Sequence, residues 1–436
     1  MAKKGGKIPQ TIFGRTSRII LSGAKIAAHE MVGRLGKGDS MLATKLRQTE
    51  ELVATLSQLK GAAMKAGQIA SLEFSEFLPP EVLAILRQLH DQSTFMPIDQ
   101  VRYILSRELG PSKLSDLEGL TSTPIAAASI GQVHRAVLGG KDVVVKVQFP
   151  GVAKSIDSDM QVVKRLVGIW QKTQGKAMEM DAFFAAMAEG FKREANYHLE
   201  AQHCLDYREA LDRANCGTSY IVPTIFKDFS TERVLTMSYE SGMRLHDWIK
   251  SAPPVQDVDA FANLVIRLLI TEFLTTGLMQ TDPNFGNFLY RPASTTLVLL
   301  DFGATEIYPA DFRRSLQKMM RCAIAGDFTQ LTELIYAEGL LDRRESAQTL
   351  ENLRHLVDHI IHIMHPDHQP FDFSNPDWIK GFREATLTLV QGIQFTAPSQ
   401  SFTFLNRKLG GMYHLLKELK AAVDMRQFYD AIEQAI

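Results

Sequence analysis

The sequence predicts an α+β chain of two lobes, a small antiparallel-sheet lobe followed by a helical lobe, with a helical extension ahead of both. Three observations carry this. Residues 1–95 keep helical apolar spacing, as in Leu52, Val53, Leu56, Leu59, Ala63 and Met64. From 121 the pattern changes to strands. Beyond 255 it is helical again except near 280–303.

In order, Pro79–Pro80 stop one helix and Glu81 to His90 start the next. Residues 96–120 read as a further helix entered at Pro97, then a Gly/Pro turn. Val133–Leu138, Gly139–Gly140 and Val143–Phe149 read as strand, turn, strand. A long helical region follows over roughly 155–213. Strand-like segments return at Val222–Phe229 and Arg233–Tyr239. The expected organisation is a basic amphipathic segment at 1–40, a helical extension at 41–120, a sheet lobe with inserted helices at 121–240, and a helical lobe at 241–436.

The 436 residues suffice for a buried core, and 45% hydrophobic with 22% charged residues is ordinary for a globular protein. The 48 basic and 49 acidic residues cancel to a net charge of -1, which argues against a nucleic-acid binder and against wholesale disorder. Cys204, Cys216 and Cys322 form no CxxC, so neither a disulfide framework nor a cysteine zinc site is expected. No membrane span is expected: the uncharged stretch Ala385 to Asn406 holds Gln391, Gln394, Pro398 and Gln400, and the run Phe261–Met279 is broken by Arg267 and Glu272. No compact apolar run suggests a cleavable signal peptide. Charge is unevenly placed. Lys3, Lys4, Lys7, Arg15, Arg18 and Lys25 all precede the first acid, Glu30, and Ile12, Ile19, Ile20 and Ile26 recur at helical spacing. Such a helix can lie on an anionic membrane surface, pack on the body with a solvated basic face, or belong to a transit peptide.

The chemistry-bearing residues begin with Lys146, inside the apolar alternation Val143-Val-Val-Lys-Val-Gln148. A buried ammonium is costly unless paired. A lone strand lysine more often snorkels to the edge. Ahead of the first strand, Ala126, Ala127, Ala128, Ser129 and Gly131 form a small-residue loop of the kind that lets backbone approach phosphates. Taken alone it reads as an ordinary turn. Asp301, in Asp301-Phe-Gly303, ends the apolar strand Leu297–Leu300, where a carboxylate can hold a metal ion on a phosphate chain. Asp282 and Asn287 have the D-x4-N spacing of a kinase catalytic loop, and Asp301 follows after room for one hairpin. Glu194 and Glu200 are six apart, so on one helix they point in different directions and have different tasks.

These residues resemble the UbiB-type atypical kinases, protein kinase-like ATPases that support ubiquinone biosynthesis. Lys65-Ala-Gly67-Gln68 matches the family's KxGQ motif, and Ala126–His134 its alanine-rich loop. Lys146–Val152 is similar to its strand-lysine motif, Glu194-x-Asn196 with Glu200-Ala201 to its ExD region, and Asp282–Asn287 to its DPHPGN loop. Asn406-Arg-Lys-Leu-Gly-Gly411 is also similar. The resemblance spans roughly 45–425. It implies a protein kinase-like fold whose KxGQ helices lie over the active site. It implies that Lys146 holds nucleotide phosphates and pairs with Glu200, that Asn287 and Asp301 ligate Mg2+ (or Mn2+), and that Asp282 is the catalytic-loop acid. Glu240 joins Ala126, Ala127, Ala128, Ser129, Gly131 and Lys146 as nucleotide-binding, with ATP or ADP as the nucleotide. Lys65, Gly67, Gln68, Glu194 and Asn196 form the family-specific gating set.

The implied activity is phosphoryl transfer to water or a small lipid-like acceptor; the alternative is a nucleotide-gated scaffold or lipid-extraction protein. Implied partners are an anionic membrane surface, ubiquinone-pathway enzymes or lipid intermediates, and a homodimer, with no nucleic acid. The implied location is the bacterial cytoplasm at the inner membrane, or the mitochondrial matrix side. Gly303 is followed by a helical pattern from Asp311, leaving no long activation segment and no APE motif for peptide docking. Three departures stand out: Asn196 replaces the acid of ExD, Gln280-Thr281 replaces His-Ala, and Asn284-Phe285 replaces His-Pro. His355, His359 and His362 share one helix face near Asp358, His365 and His368; the cluster reads as a half-exposed helix ending at Pro366, with a transition-metal site as the alternative.

Overall fold

The computed structural model describes residues 95–128, 130–158, 160–161, 164, 181–282, 284–396 and 400–434. The basic segment, the apolar stripe Leu52–Met64, Lys65, Gly67, Gln68, Ser129 and Pro283 lie outside the described residues. The chain divides into two compact units, Met1–His198 with Phe226–Thr236, and Leu199–Ile225 with Met237–Ile436.

In the first unit, helix α1 (Ile98–Leu109) buries Val101 and Leu105, one turn apart on one face. It ends at Gly110, whose φ of 86° suits glycine and which leads directly into Pro111 at the start of α2 (Pro111–Asp116). Strands β1 (Leu117–Glu118), β2 (Ala126–Ala128), β3 (Gly131–Leu138) and β4 (Lys141–Gln148) follow. β3 and β4 pair antiparallel from Gly131↔Gln148 to Leu138↔Lys141. Gly139 and Gly140 join them with φ of 56° and 74°, the two positive angles a two-residue hairpin needs. Beyond β5 (Tyr220–Ile221), which belongs to the second unit, β6 (Val234–Ser238) completes the order β1-β3-β4-β6, with β2 on β3. Val143, Val145 and Val147 are fully buried in one cluster with Val101, Leu105, Leu117 and Val234. Lys146 is out of phase with these valines and so takes the opposite face of β4.

Two expectations change here. The region over 155–213 is helical at 152–158 and in α3 (Asp181–Glu194) and α4 (Tyr197–Arg213), with a break at Ala195–Asn196. Glu194 and Glu200 therefore sit on different helices, and the single-helix wheel does not relate them. The strand expected at Val222–Phe229 is replaced by an isolated bridge Ile225↔Met237 and a 3-10 turn at Lys227–Phe229, while β5 lies just ahead of it at Tyr220–Ile221. Pro223, which lacks an N–H, interrupts it.

In the second unit, β7 (Met243–Arg244) leads into α5 (Leu245–Lys250) and α6 (Val255–Ile270). α6 continues as a π-helical turn, Thr271–Thr276, closed by Gly277 at φ 72°. Then come β8 (Leu278–Gln280), β9 (Phe288–Arg291), β10 (Thr296–Leu299) and β11 (Thr305–Ile307). The sheet order is β5-β10-β9-β7, and β8 pairs antiparallel with β11. Trp248, Phe261 and Tyr290 meet with ring centroids 4.7–5.0 Å apart, which fixes β9 against α5 and α6. Helices α7 (Ala310–Ile324), α8 (Phe328–Ala337), α9 (Ala347–Met364), α10 (Pro376–Gly392), α11 (Gln400–Glu418) and α12 (Arg426–Gln434) complete the unit, with β12 (Phe371–Asp372) on β13 (Ala422–Val423). Among the described residues no helix is long and apolar enough to cross a membrane.

The histidine-rich segment ends α9 as expected. The His362 and His368 rings stack 3.7 Å apart, and His368 bonds the His362 carbonyl. Among the described residues no group of three or more His, Cys, Asp or Glu is placed to hold a metal ion.

Candidate functional site

The first unit contributes a hairpin and a lysine. Ala126, Ala127 and Ala128 are a strand rather than a loop, pairing with Val133, Gln132 and Gly131. Gly131 is required by close approach: a Cβ there would collide with the Val147 carbonyl and lie 2.8 Å from the Tyr197 hydroxyl. Lys146 does not snorkel; it is 5% exposed, and its ammonium lies 5.0 Å from the centre of the Tyr197 ring. A ring face at that distance attracts the cation and holds it. Tyr197 opens α4 and is anchored by its own N–H to the Glu232 carbonyl. Glu194, at the end of α3, is also buried. Gln148, next but one after Lys146, donates to the Ala195 carbonyl at 2.7 Å and so ties β4 to the α3–α4 break.

Asn196 accepts the His198 N–H at 3.1 Å and so caps α4. An aspartate would cap equally well, so this departure removes a negative charge while keeping the helix start. The sheet also holds a buried chain absent from the sequence reading. Gln132 accepts the Met96 N–H and donates to the Met96 carbonyl and the His134 ring, which bonds the Thr121 carbonyl at 2.7 Å. A ring nitrogen facing an amide donor must accept, so His134 carries its proton on the nitrogen facing Thr121. Burial lowers the His134 pKa, against the opposing effect of the Thr121 carbonyl.

The second unit contributes the acids. Asp282 follows β8, Asn287 precedes β9, and Asp301 follows β10, so the β9–β10 hairpin brings Asn287 and Asp301 together. The Leu300 N–H donates to the Asn287 carbonyl at 2.9 Å and closes that end. The Asn287 amide donates to Asp282 Oδ2 at 2.9 Å. A carboxylate only accepts, so the nitrogen faces Asp282 and the amide oxygen turns the other way. Asp301 Oδ1 accepts the Gly303 N–H at 2.9 Å, which orients its carboxylate. An amide oxygen and a carboxylate suit a hard divalent cation that takes its other ligands from phosphates and water. Phe302 is buried against the Tyr207 ring at 5.0 Å, and His203 bonds its carbonyl. After Gly303 only β11 and a short link precede α7 at Ala310.

Glu200 is buried near the start of α4, in the second unit. Glu240 accepts from Ser238 at 2.8 Å and from Arg291 at 3.0 Å, which fastens its segment to β9. Burial pushes the Cys204 thiol up to about 12, so it is an inert thiol.

Sequence reasoning named Gln280 as a departure and Glu272 as a break in an apolar run, but missed that both stand behind the acids. Gln280 is fully buried and donates to the Asp301 carbonyl. Glu272, in the π-helical turn, accepts from the Gln280 N–H and the Tyr207 hydroxyl and pairs with Lys408 of α11. Burial first, and the Glu272 charge second, raise the Tyr207 pKa well above its ordinary value and keep the hydroxyl a donor. Glu272 had shown only as an interruption of an apolar run. That interruption was the available signal.

The profile of the ABC1 atypical kinase-like domain matches residues 88–335. The chain is 32% identical over 393 residues to "Atypical kinase coq-8, mitochondrial" of Caenorhabditis elegans, covering 88% of this chain and 51% of that protein. It is 30% identical over 408 residues to "Atypical kinase COQ8, mitochondrial" of Schizosaccharomyces pombe, covering 91% and 64%. The chain thus spans about half the length of the first relative and under two thirds of the second. Among solved structures it is similar to Rv3197 of Mycobacterium tuberculosis, determined with erythromycin, with a TM-score of 0.60, 23% identity, and coverage of 91% and 98%. At that identity the likeness speaks for the fold, which is kinase-like. The profile match extends over more than half of the chain and includes the strand lysine, the D-x4-N loop and the Asp301 turn, so the chain belongs to the ABC1 atypical kinase-like, or UbiB, family.

Proposed function

We propose that this chain is an ATP- and magnesium-dependent atypical kinase-like ATPase serving isoprenoid-quinone biosynthesis. Its acceptor is water or a small lipid-like molecule rather than a protein. The observation that carries this reading is the arrangement of the acids: the Asn287 amide bonds Asp282, and the β9–β10 hairpin brings Asn287 beside the strand end that leads into Asp301. Lys146, held against the Tyr197 ring, donates to phosphate oxygens, and Glu200 is assigned as its counter-charge on the family resemblance alone. Asn287 and Asp301 present oxygens to Mg2+, which when bound offsets the charge on the transferring phosphoryl group. Asp282, held by the Asn287 amide, orients the acceptor and receives its proton. The short link after Gly303 supports a non-protein acceptor, because it offers no peptide platform. Glu194, Asn196, Lys65, Gly67 and Gln68 are the proposed gating set, and the alanine strand with Gly131 and Glu240 completes the nucleotide site. The basic segment ahead of Glu30 is the proposed contact with anionic lipid.

Thermal denaturation with Mg-ATP tests the site. The midpoint rises in the wild type and stays flat in Lys146→Ala and Asp301→Asn. A rise unchanged in both variants would sink the assignment. Phosphate release that increases with phosphatidylglycerol vesicles supports the ATPase; binding without turnover under any condition favours the nucleotide-gated scaffold.

A further inference from the structure

The similar C-terminal run Asn406-Arg-Lys-Leu-Gly-Gly411 has so far been given no task. It lies on α11, beyond the residues 88–335 that the family profile covers. Lys408 is 3% exposed, and its ammonium sits 2.8 Å from Glu272 Oε2, a carboxylate with 1% side-chain exposure. Glu272 Oε1 accepts the Gln280 N–H at 3.0 Å, and the Gln280 side chain donates to the Asp301 carbonyl. One residue earlier, Arg407 Nε donates to the Thr281 carbonyl at 2.9 Å. The Thr281 hydroxyl and N–H both donate to the Ala304 carbonyl at 2.8 Å.

Adjacent residues of one helix therefore hold the two residues that immediately precede Asp282. Each hold continues to one flank of the Asp301-Phe-Gly303 turn, through Asp301 itself and through Ala304. Stability alone does not account for the choice of a buried ion pair, because well-packed apolar residues of equal volume serve as well or better. A fixed geometry does account for it. Two hydrogen bonds to Oε1 and the Lys408 ammonium beside Oε2 tie the Glu272 carboxylate to one orientation.

We propose that Lys408 and Arg407 are positioning residues for the cation-holding oxygens of Asp301 and Asn287, acting through Glu272, Gln280 and Thr281. The inference rests on the magnesium-nucleotide reading above. It makes α11 part of the site although it lies outside the matched domain.

The test uses the full chain and two variants. Lys408→Met removes the ion pair. Gln280→Leu removes only the bond to Asp301, keeps the N–H that Glu272 accepts, and so leaves the ion pair in place. The readouts are the midpoint of thermal denaturation without ligand and the Mg2+ concentration giving half of the ATP-dependent rise. Both variants are expected to raise that Mg2+ concentration at least tenfold. Gln280→Leu does so with a smaller fall in the ligand-free midpoint than Lys408→Met, since it strands one carbonyl and no charge, and it decides alone if Lys408→Met does not fold. A wild-type Mg2+ half-point in the folded variants, whatever their ligand-free midpoints, overturns the inference. A wild-type chain with no Mg2+-dependent rise overturns the functional reading, and this inference with it.

Discussion

Each unit holds a buried hydrogen-bonded chain, and the two chains are built by opposite means. In the sheet of the first unit the buried chain is neutral: Gln132 and His134 hand hydrogen bonds from Met96 to Thr121. Behind the acids of the second unit the chain is ionic, running from Lys408 through Glu272 to the strand before Asp282. The neutral chain locks neighbouring strands and the entry to α1 within a short stretch of sequence. The ionic one reaches across the unit, and the same helix bonds Thr281 from 126 residues away. A neutral chain loses one or two hydrogen bonds when cut. An ionic chain leaves a charge stranded in the interior. The costs should differ accordingly.

The largest expected effect is Lys408→Met, which strands the Glu272 carboxylate and should cost about 3–5 kcal/mol in urea denaturation. Adding Glu272→Met to it should recover much of that loss, because an apolar pair needs no counter-charge. A double variant no more stable than the single one would remove the charge from the explanation. Gln132→Leu should cost less, about 1–3 kcal/mol, from the unsatisfied groups left at Met96 and His134. A cost equal to that of Lys408→Met would erase the contrast between the two chains.

The smallest effect is in pH. The folded-state pKa of His134 lies below its ordinary value of 6.5, so at mildly acidic pH the unfolded chain takes up a proton that the folded chain refuses. Stability is therefore complete above that value and declines as pH falls through it. The urea midpoint should drop between about pH 7.5 and about pH 5.5, and His134→Gln should reduce the drop. His362, whose pKa is also lowered, by burial and then by the neighbouring histidines, contributes to the part that remains. An identical drop in wild type and variant would mean that His134 does not stay neutral.

Much of the candidate site was legible because its chemistry is local in sequence. Asp282, Asn287 and Asp301 are separated by one short loop and one hairpin, so spacing alone implied that they meet. Lys146 was legible as a charge out of place in a strand. Its burial was not, because a strand lysine can reach solvent or turn inward with the same sequence around it. The alanine run reads as a loop from its small side chains, yet its backbone finds partners on β3 and becomes a strand. Glu194 and Glu200 looked like one helix because nothing in their apolar spacing marks the break at Ala195–Asn196. Asn196 did carry a signal, since asparagine is a good helix cap, and it marks the start of α4.

By itself the sequence determined the order of elements, the hairpin that carries the acids, and the family. Each of these follows from periodicity or from spacings of a few residues, which local sterics and turn geometry enforce. Only the tertiary structure decided which buried charges answer one another. Lys408 and Glu272 lie in helical segments whose apolar patterns are complete without them. Their pairing follows from packing α11 against the π-helical turn. Desolvation then leaves the opposite charge as the partner that makes burial of either tolerable.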